Sequence, residues 1–412
     1  MSLIDLCRAA RHALQLCTAG LLLAMLAACS TLPPSLPQSA LEQDVNTATQ
    51  HLIDEWRSRS ARPLLPARWF PRNMLLGAVV DQAPVAKPGF ALPQSQAAER
   101  TREFVAQYLR RQAPEIRLVA ADASPGLDVR AAIAGQLAPT SSADVLRLTL
   151  TMLDIRSGEI MARVQGDVHT APSDLFPTSF DSESPVLVNK LPGQLRTDSL
   201  LFDESTKGVV SDTGVHGVVS DVWLAEAQLA YGAGHYEEAL DLYKQAVAQP
   251  SVNAIRAYNG MYLSLMRLDR QAQATEAFKQ LVAAGLSARS LGIKLLFVPG
   301  QTEFLPDPAV RSAYASWLQI IGSKVNASGI CLDVVGHTSH TGTETFNLEL
   351  SLMRGERVRD LLQADVPQLF THLGVIGKGW TENIVGSGTD DARDAVDRRV
   401  EFRVVDCQGQ SS

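Results

Sequence analysis

The sequence predicts a multi-domain chain of α/β and α parts. These are an N-terminal α/β sandwich, two helical hairpins, and a C-terminal mixed sheet in the order β-α-β-α-β-β. Three observations predict it. Leu146, Leu148, Leu150 and Met152 alternate with Arg147, Thr149 and Thr151, the two-residue period of a strand with one buried face. Between 218 and 290, small and aromatic residues recur at helical spacing in two copies, with Tyr258 standing 35 residues after Trp223. From Leu291 onward, strand and helix patterns alternate along the rest of the chain.

Composition bounds the possibilities. At 412 residues the chain is long enough for two or three globular units. Hydrophobic residues make up 46% and charged residues 20%, enough to fold rather than stay disordered. A formal charge of −7 argues against a nucleic-acid partner, because phosphate binding needs clustered positive charge. No uninterrupted apolar run is long enough for an ordinary spanning helix.

The N-terminus reads as a processing signal. Arg8, Arg11 and His12 form a modest basic region, and residues 19–28 form an apolar stretch too short to cross a bilayer. It ends in Leu26-Ala27-Ala28-Cys29, which resembles a bacterial lipobox. That resemblance implies a lipoprotein signal peptide over 1–28 and lipidation at Cys29. Two or more acyl chains make such an anchor effectively permanent. Ser30 is not the Asp that retains many such lipoproteins in the inner membrane, so the expected location is the outer membrane, facing the periplasm. Residues 29–59, opening on a Pro- and Ser-rich stretch, are expected to be a lipidated tether. Its first part, extended, would reach roughly 50 Å from the membrane. Cys7 and Cys17 leave with the signal, so Cys331 and Cys407 remain as an even pair in an oxidising compartment. A disulfide between them is expected; two buried thiols are the alternative.

Residues 60–170 are expected to form a small periplasmic α/β domain. Met74 to Val80 and Arg117 to Ala121 are strand candidates. Ala98, Phe104, Val105, Tyr108 and Leu109 mark a helix, with Arg100, Arg102, Arg110 and Arg111 in its polar positions. After the alternating strand, Asp154 to Gly158 makes a turn, and Glu159 to Val168 returns as a hairpin partner. This stretch weakly resembles the α/β domain of curli-secretion and flagellar-assembly lipoproteins, an indication of fold rather than chemistry. Residues 171–217 are turn-rich, a linker or a strapping loop.

Within 218–290, the spacing of Trp223, Ala227, Ala230, Gly234, Tyr236, Ala239, Tyr243 and Ala246 resembles a tetratricopeptide repeat. Tyr258, Ala274 and Phe278 mark the second copy. Two repeats are fewer than independent stability usually needs, so they are expected to lean on a flanking domain or an extra helix. Their role is either a protein-interaction groove or a helical spacer.

Residues 291–407 carry the functional reading, with 408–412 left as a tail. Gly336 to Leu362 reads GHTSHTGTETFNLELSLMRGERVRDLL. This resembles the signature of the OmpA-like peptidoglycan-binding family, with Gly336, His337, Thr338, Gly342, Asn347, Leu350, Ser351, Arg354 and Val358 matching in order. Phe346 replaces the usual Tyr. The stretch from Asp397 to Val404 is similar to the family's closing strand. The resemblance implies a site for the zwitterionic end of diaminopimelate in a wall peptide, lined by Thr338, Ser339, Gly342, Asn347, Arg354 and Arg398. In the family an Asp accepts the ammonium and the helix Arg holds the carboxylate. Arg354 stands at the Arg position, but Ser339 occupies the acidic one. Three explanations stay open: Glu344 supplies the carboxylate, the ligand is a differently charged or amidated wall peptide, or the domain has lost its ligand. Arg398 and Arg399 either approach the ligand or pair with Asp397 and Glu401.

No enzyme signature is present, so binding rather than catalysis is expected, without a cofactor. His337 and His340 lack the neighbours of a metal site. Asp390, Asp391 and Asp394 look like a solvated turn and helix start. The expected function is an outer-membrane lipoprotein that binds peptidoglycan non-covalently and tethers the envelope. The alternative is an assembly or secretion accessory that recruits a protein partner through its helical repeats, with wall binding lost.

Overall fold

The computed structural model describes residues 38–60, 73–82, 94–122, 127–186, 200–203, 205, 208–249, 253–289, 291–306, 308–390 and 393–407. The expected signal sequence, with Cys29 and Ser30, and the tail at 408–412 lie outside the described residues. No helix among the described residues is long and apolar enough to cross a membrane.

The expected tether is not extended throughout. Ala40–Ser60 forms a helix, α1, whose Leu41, Val45, Ala48, Leu52, Ile53 and Trp56 are buried at the spacing of one helical face. That stripe packs on a five-stranded sheet in the order β2-β1-β3-β4-β5. The strands are β1 (Asn73–Asp81), β2 (Arg117–Leu118), β3 (Val129–Pro139), β4 (Val145–Asp154) and β5 (Ile160–His169). β1 lies parallel to β2 and β3, and β3, β4 and β5 run antiparallel. Helix α2 (Gln96–Gln112), capped by Ser95, covers the same face as α1.

Two details differ from expectation for physical reasons. Arg102, at an expected polar position, is buried: its guanidinium donates from Nε to Gly77 O at 3.1 Å and from Nη2 to Leu76 O at 2.9 Å. Those carbonyls sit where the β1–β3 register shifts, so the sheet cannot satisfy them and α2 does. β2 stops early because the Ala121 N–H donates to Glu226 rather than continuing the ladder.

The β4–β5 hairpin forms around the expected turn. Asp154 Oδ1 accepts from the N–H groups of Arg156 and Ser157, and Gly158 adopts φ +71°. A Cβ there would also lie 2.1 Å from Val210 O, so Gly158 is required twice over.

The second face of the sheet is covered by α4 (Asp212–Gly232), joining Leu75, Ala132, Ala134 and Leu153 to Val215, Val218 and Val222. β1 is therefore buried on both faces, which explains its unbroken apolar run. α4 pairs with α5 (Tyr236–Val247), and α6 (Ala254–Arg267) pairs with α7 (Gln271–Ser287).

Residues 172–186 strap the parts together. They include a short helix, α3 (Ser179–Glu183), capped by Thr178. Pro177 bridges to Ser95, and Val186 bridges to Ile293. Between these points Phe180 packs against Tyr231 and Tyr243, and Asp181 accepts from Gln228. Lys294 donates from Nζ to Asp181 O at 3.1 Å inside this junction, where burial pushes its pKa down to about 8.

The C-terminal part contains β6 (Leu295–Leu296), α8 (Pro308–Ser328), β7 (Cys331–Gly336), α9 (Glu344–Asp365), β8 (Leu373–Gly377) and β9 (Arg399–Val405). Its sheet runs β6-β9-β7-β8, with β7 parallel to β8 and antiparallel to β9. Helix α9 lies close on β7: a Cβ at Gly336 would fall 1.8 Å from Ser351 O. Cys331 and Cys407 form a disulfide, with Cα atoms 5.2 Å apart. α8 packs against α7 on its other side, so the helical hairpins lean on a helix of the C-terminal domain.

Candidate functional site

The signature residues converge on two loops, one joining β7 to α9 and one preceding β9. Gly342 takes φ +90° in the first, and Asn347 Nδ2 donates to Thr341 O at 2.7 Å and Thr343 O at 2.9 Å. Thr343 caps α9 by accepting from Phe346 N. Gly342 and Asn347 therefore shape the loop, and their contacts are with the chain itself. The Thr338 N–H donates to Gly379 O at 2.9 Å, fixing the loop's start. With its carboxamide nitrogen turned toward the carbonyls, Asn383 donates to Thr338 O at 2.8 Å and accepts from His340 N at 3.3 Å.

Arg354 is 1% exposed and stands beneath this loop. It donates from Nε to Gln301 O, from Nη1 to His337 O and from Nη2 to Val298 O, each at 2.9 Å. Its Cζ lies 5.1 Å from the centre of the Phe297 ring. Burial first, then the nearby Arg398 charge, pushes its pKa down to about 10, so it remains charged at neutral pH.

Arg398 is 6% exposed and donates from Nη1 to Asp390 Oδ1 at 2.5 Å. Asp397 is not its partner; that carboxylate accepts from the N–H groups of Ile384, Val385 and Gly386. Asp394, expected in a solvated turn, is fully buried and accepts from Ser387 N and Asp390 N. It helps to hold Asp390 at φ +57°. Asp391 lies outside the described residues. Sequence spacing gave no hint that Asp390 pairs with Arg398, because the contact depends on this loop's turn.

Ser339 is 5% exposed beside Thr338. Among the described residues, the Thr338 hydroxyl and Arg398 Nε are buried polar atoms without a hydrogen-bond partner. Such groups are costly unless something else satisfies them. Glu344 is exposed in the first turn of α9, whereas Asp390 is the acidic residue that acts on the Arg354 charge.

His337 and His340 do not meet. His340 packs edge-on against Trp380, and His337 is fully buried facing Glu401 at 3.4 Å. His337, Glu382 and Glu401 place three ligand-type atoms within 4.8 Å of one another. Arg399 and Arg403 already pair with Glu401, and Arg403 and Lys378 with Glu382. Three cations thus face two carboxylates, and a metal ion would add charge of the wrong sign.

No protein-family model and no curated protein sequence matches this chain. Several solved structures are similar to parts of it. The peptidoglycan-associated lipoprotein from Burkholderia pseudomallei is 20% identical over 27% of this chain and 89% of its own, with a TM-score of 0.24. The cell wall anchor of the T6SS from Pseudomonas aeruginosa is 20% identical over 30% of this chain and 92% of its own, at 0.22. The LpoB C-terminal domain from Salmonella enterica is 14% identical over 31% and 99%, also at 0.22. These likenesses are too partial to carry function across.

Proposed function

We propose that this chain is a lipoprotein of the bacterial outer membrane, anchored through Cys29, whose C-terminal domain binds peptidoglycan and so tethers the envelope. The observation that carries the reading is two buried guanidinium groups, Arg354 donating to His337 O under the signature loop and Arg398 near enough for its charge to act on Arg354. In the same loops the Thr338 hydroxyl and Arg398 Nε are buried and unpartnered. Two guanidinium groups and a spare hydroxyl suit a carboxylate of the wall peptide, and the Gly336-to-Leu362 signature names that peptide's class. The helical hairpins read as a spacer, since α4 is packed on the N-terminal sheet and α7 against α8.

The test is co-sedimentation of the non-lipidated chain with purified wall sacculi. Wild type should pellet with sacculi, and Arg398→Gln should stay in the supernatant while its circular-dichroism spectrum at the assay temperature still matches that of the folded wild type. A wild type that never pellets refutes wall binding. Palmitate labelling of the full chain, lost in Cys29→Ser, tests the anchor separately.

A further inference from the structure

The same site has an unusual charge composition, and its consequence rests on the wall-binding reading. Among the described residues, the charged groups that act on one another there are Arg354, Arg398 and Asp390, a net of one positive charge. The corner where the related signature carries an acid is Ser339, a neutral hydroxyl that is 5% exposed. The unpartnered groups here include Arg398 Nε–H, which can only donate, the Thr338 hydroxyl, which can donate or accept, and the ring nitrogens of His337, which is fully buried facing Glu401. Asp390, the acidic residue at the guanidinium pair, already accepts from Arg398 Nη1. Among the described residues the site therefore presents two guanidinium groups against one carboxylate, Asp390, which is already paired with Arg398.

We infer that the site selects a terminal carboxylate that has no ammonium group beside it. A ligand end of charge −1 neutralises the pocket's +1, whereas a zwitterionic end leaves that charge in place and brings an ammonium close to two guanidinium groups. The ligand class is a wall peptide, or a fragment of one, whose side-chain terminus is a simple carboxylate or carries an acylated amine. Ser339 and Thr338 are specificity-determining residues here, and Asp390 positions Arg398.

The experiment compares three synthetic wall tetrapeptides by calorimetry on the full mature chain. They differ only at the third residue: meso-diaminopimelate, 2-aminopimelate without the terminal amine, or lysine without the terminal carboxylate. The aminopimelate peptide should bind at least as tightly as the diaminopimelate peptide, and the lysine peptide not detectably. Ser339→Asp should reverse the order, favouring diaminopimelate by about tenfold or more through one new charge-assisted bond. A wild-type preference of about tenfold for diaminopimelate overturns the inference while leaving wall binding intact. If Asp390→Asn then abolishes that preference, Asp390 is the ammonium's acceptor. If no peptide and no sacculus binds, the wall-binding reading falls, and this inference with it.

Discussion

Trp317, on the first helix of the C-terminal domain, stacks on Phe278 of the helical hairpins with ring centroids 5.3 Å apart and planes 14° from parallel. Its indole N–H donates to Tyr262 Oη at 3.0 Å. One side chain thus joins two parts of the chain by area and by a directed bond. Trp317→Ala should cost about 3–5 kcal/mol. It should also divide a single thermal transition into two, read by calorimetry. One unshifted transition would refute the coupling.

Arg102 makes a second prediction. Arg102→Met keeps the apolar stem but strands the carbonyls of Leu76 and Gly77 inside the sheet. The expected loss is about 2–4 kcal/mol in urea unfolding. Arg102→Lys should recover only part, because an ammonium lacks the fork that spans both oxygens. A loss below about 1 kcal/mol for the Met variant would show that water replaces the guanidinium.

Acid should destabilise the C-terminal domain in a defined window. Burial pushes His337 down to about 4, so between its ordinary value of 6.5 and 4 only the unfolded chain takes up the proton. Stability is present above pH 6.5 and is lost as pH falls through 4, by about 3 kcal/mol. Glu401, held well below its ordinary range by the Arg399 charge despite its burial, adds loss of the same sign at lower pH. Urea midpoints at pH 7, 5.5 and 4 should fall in order, with a shallower upper slope in His337→Gln. A flat profile from pH 7 to 5 would refute the assignment.

The Cys331–Cys407 disulfide closes a loop with a sequence separation of 76. Chain entropy alone gives it about 4 kcal/mol. Reduction, or Cys407→Ser, should lower the denaturant midpoint of the C-terminal domain. Equal midpoints with and without reductant would mean native strain cancels the gain.

Local pattern was legible where it marks an element and less so where it marks a face. Leu148, Leu150 and Met152 are buried in the core shared with α1 and α2, but Thr149 and Thr151 between them are buried as well, with Thr151 donating to Leu201 O, so the expected solvated face of β4 is covered. The cysteine pair was readable by elimination. Helix α1 was not, although Leu41, Val45, Leu52 and Trp56 are its periodic stripe, because a Pro- and Ser-rich run leads directly into it without a break in polarity. Arg102, expected at a polar helix position, is buried because Leu76 O and Gly77 O converge on it. An Arg on a helix looks solvated unless unsatisfied carbonyls converge on it, and only the packed structure shows that convergence. Glu344 is exposed in the first turn of α9, while the loop before β9 places Asp390 against Arg398, a pairing that sequence distance does not reveal.

The disulfide has a mechanical consequence as well. A threading protease that grips the chain beyond Cys407 meets, before β9 can be stripped away, a covalent tie to the first residue of β7. To proceed it must draw two strands through its pore together, or wait for a reductant. The domain's last strand is therefore a stop against extraction from that end, whatever its thermodynamic contribution.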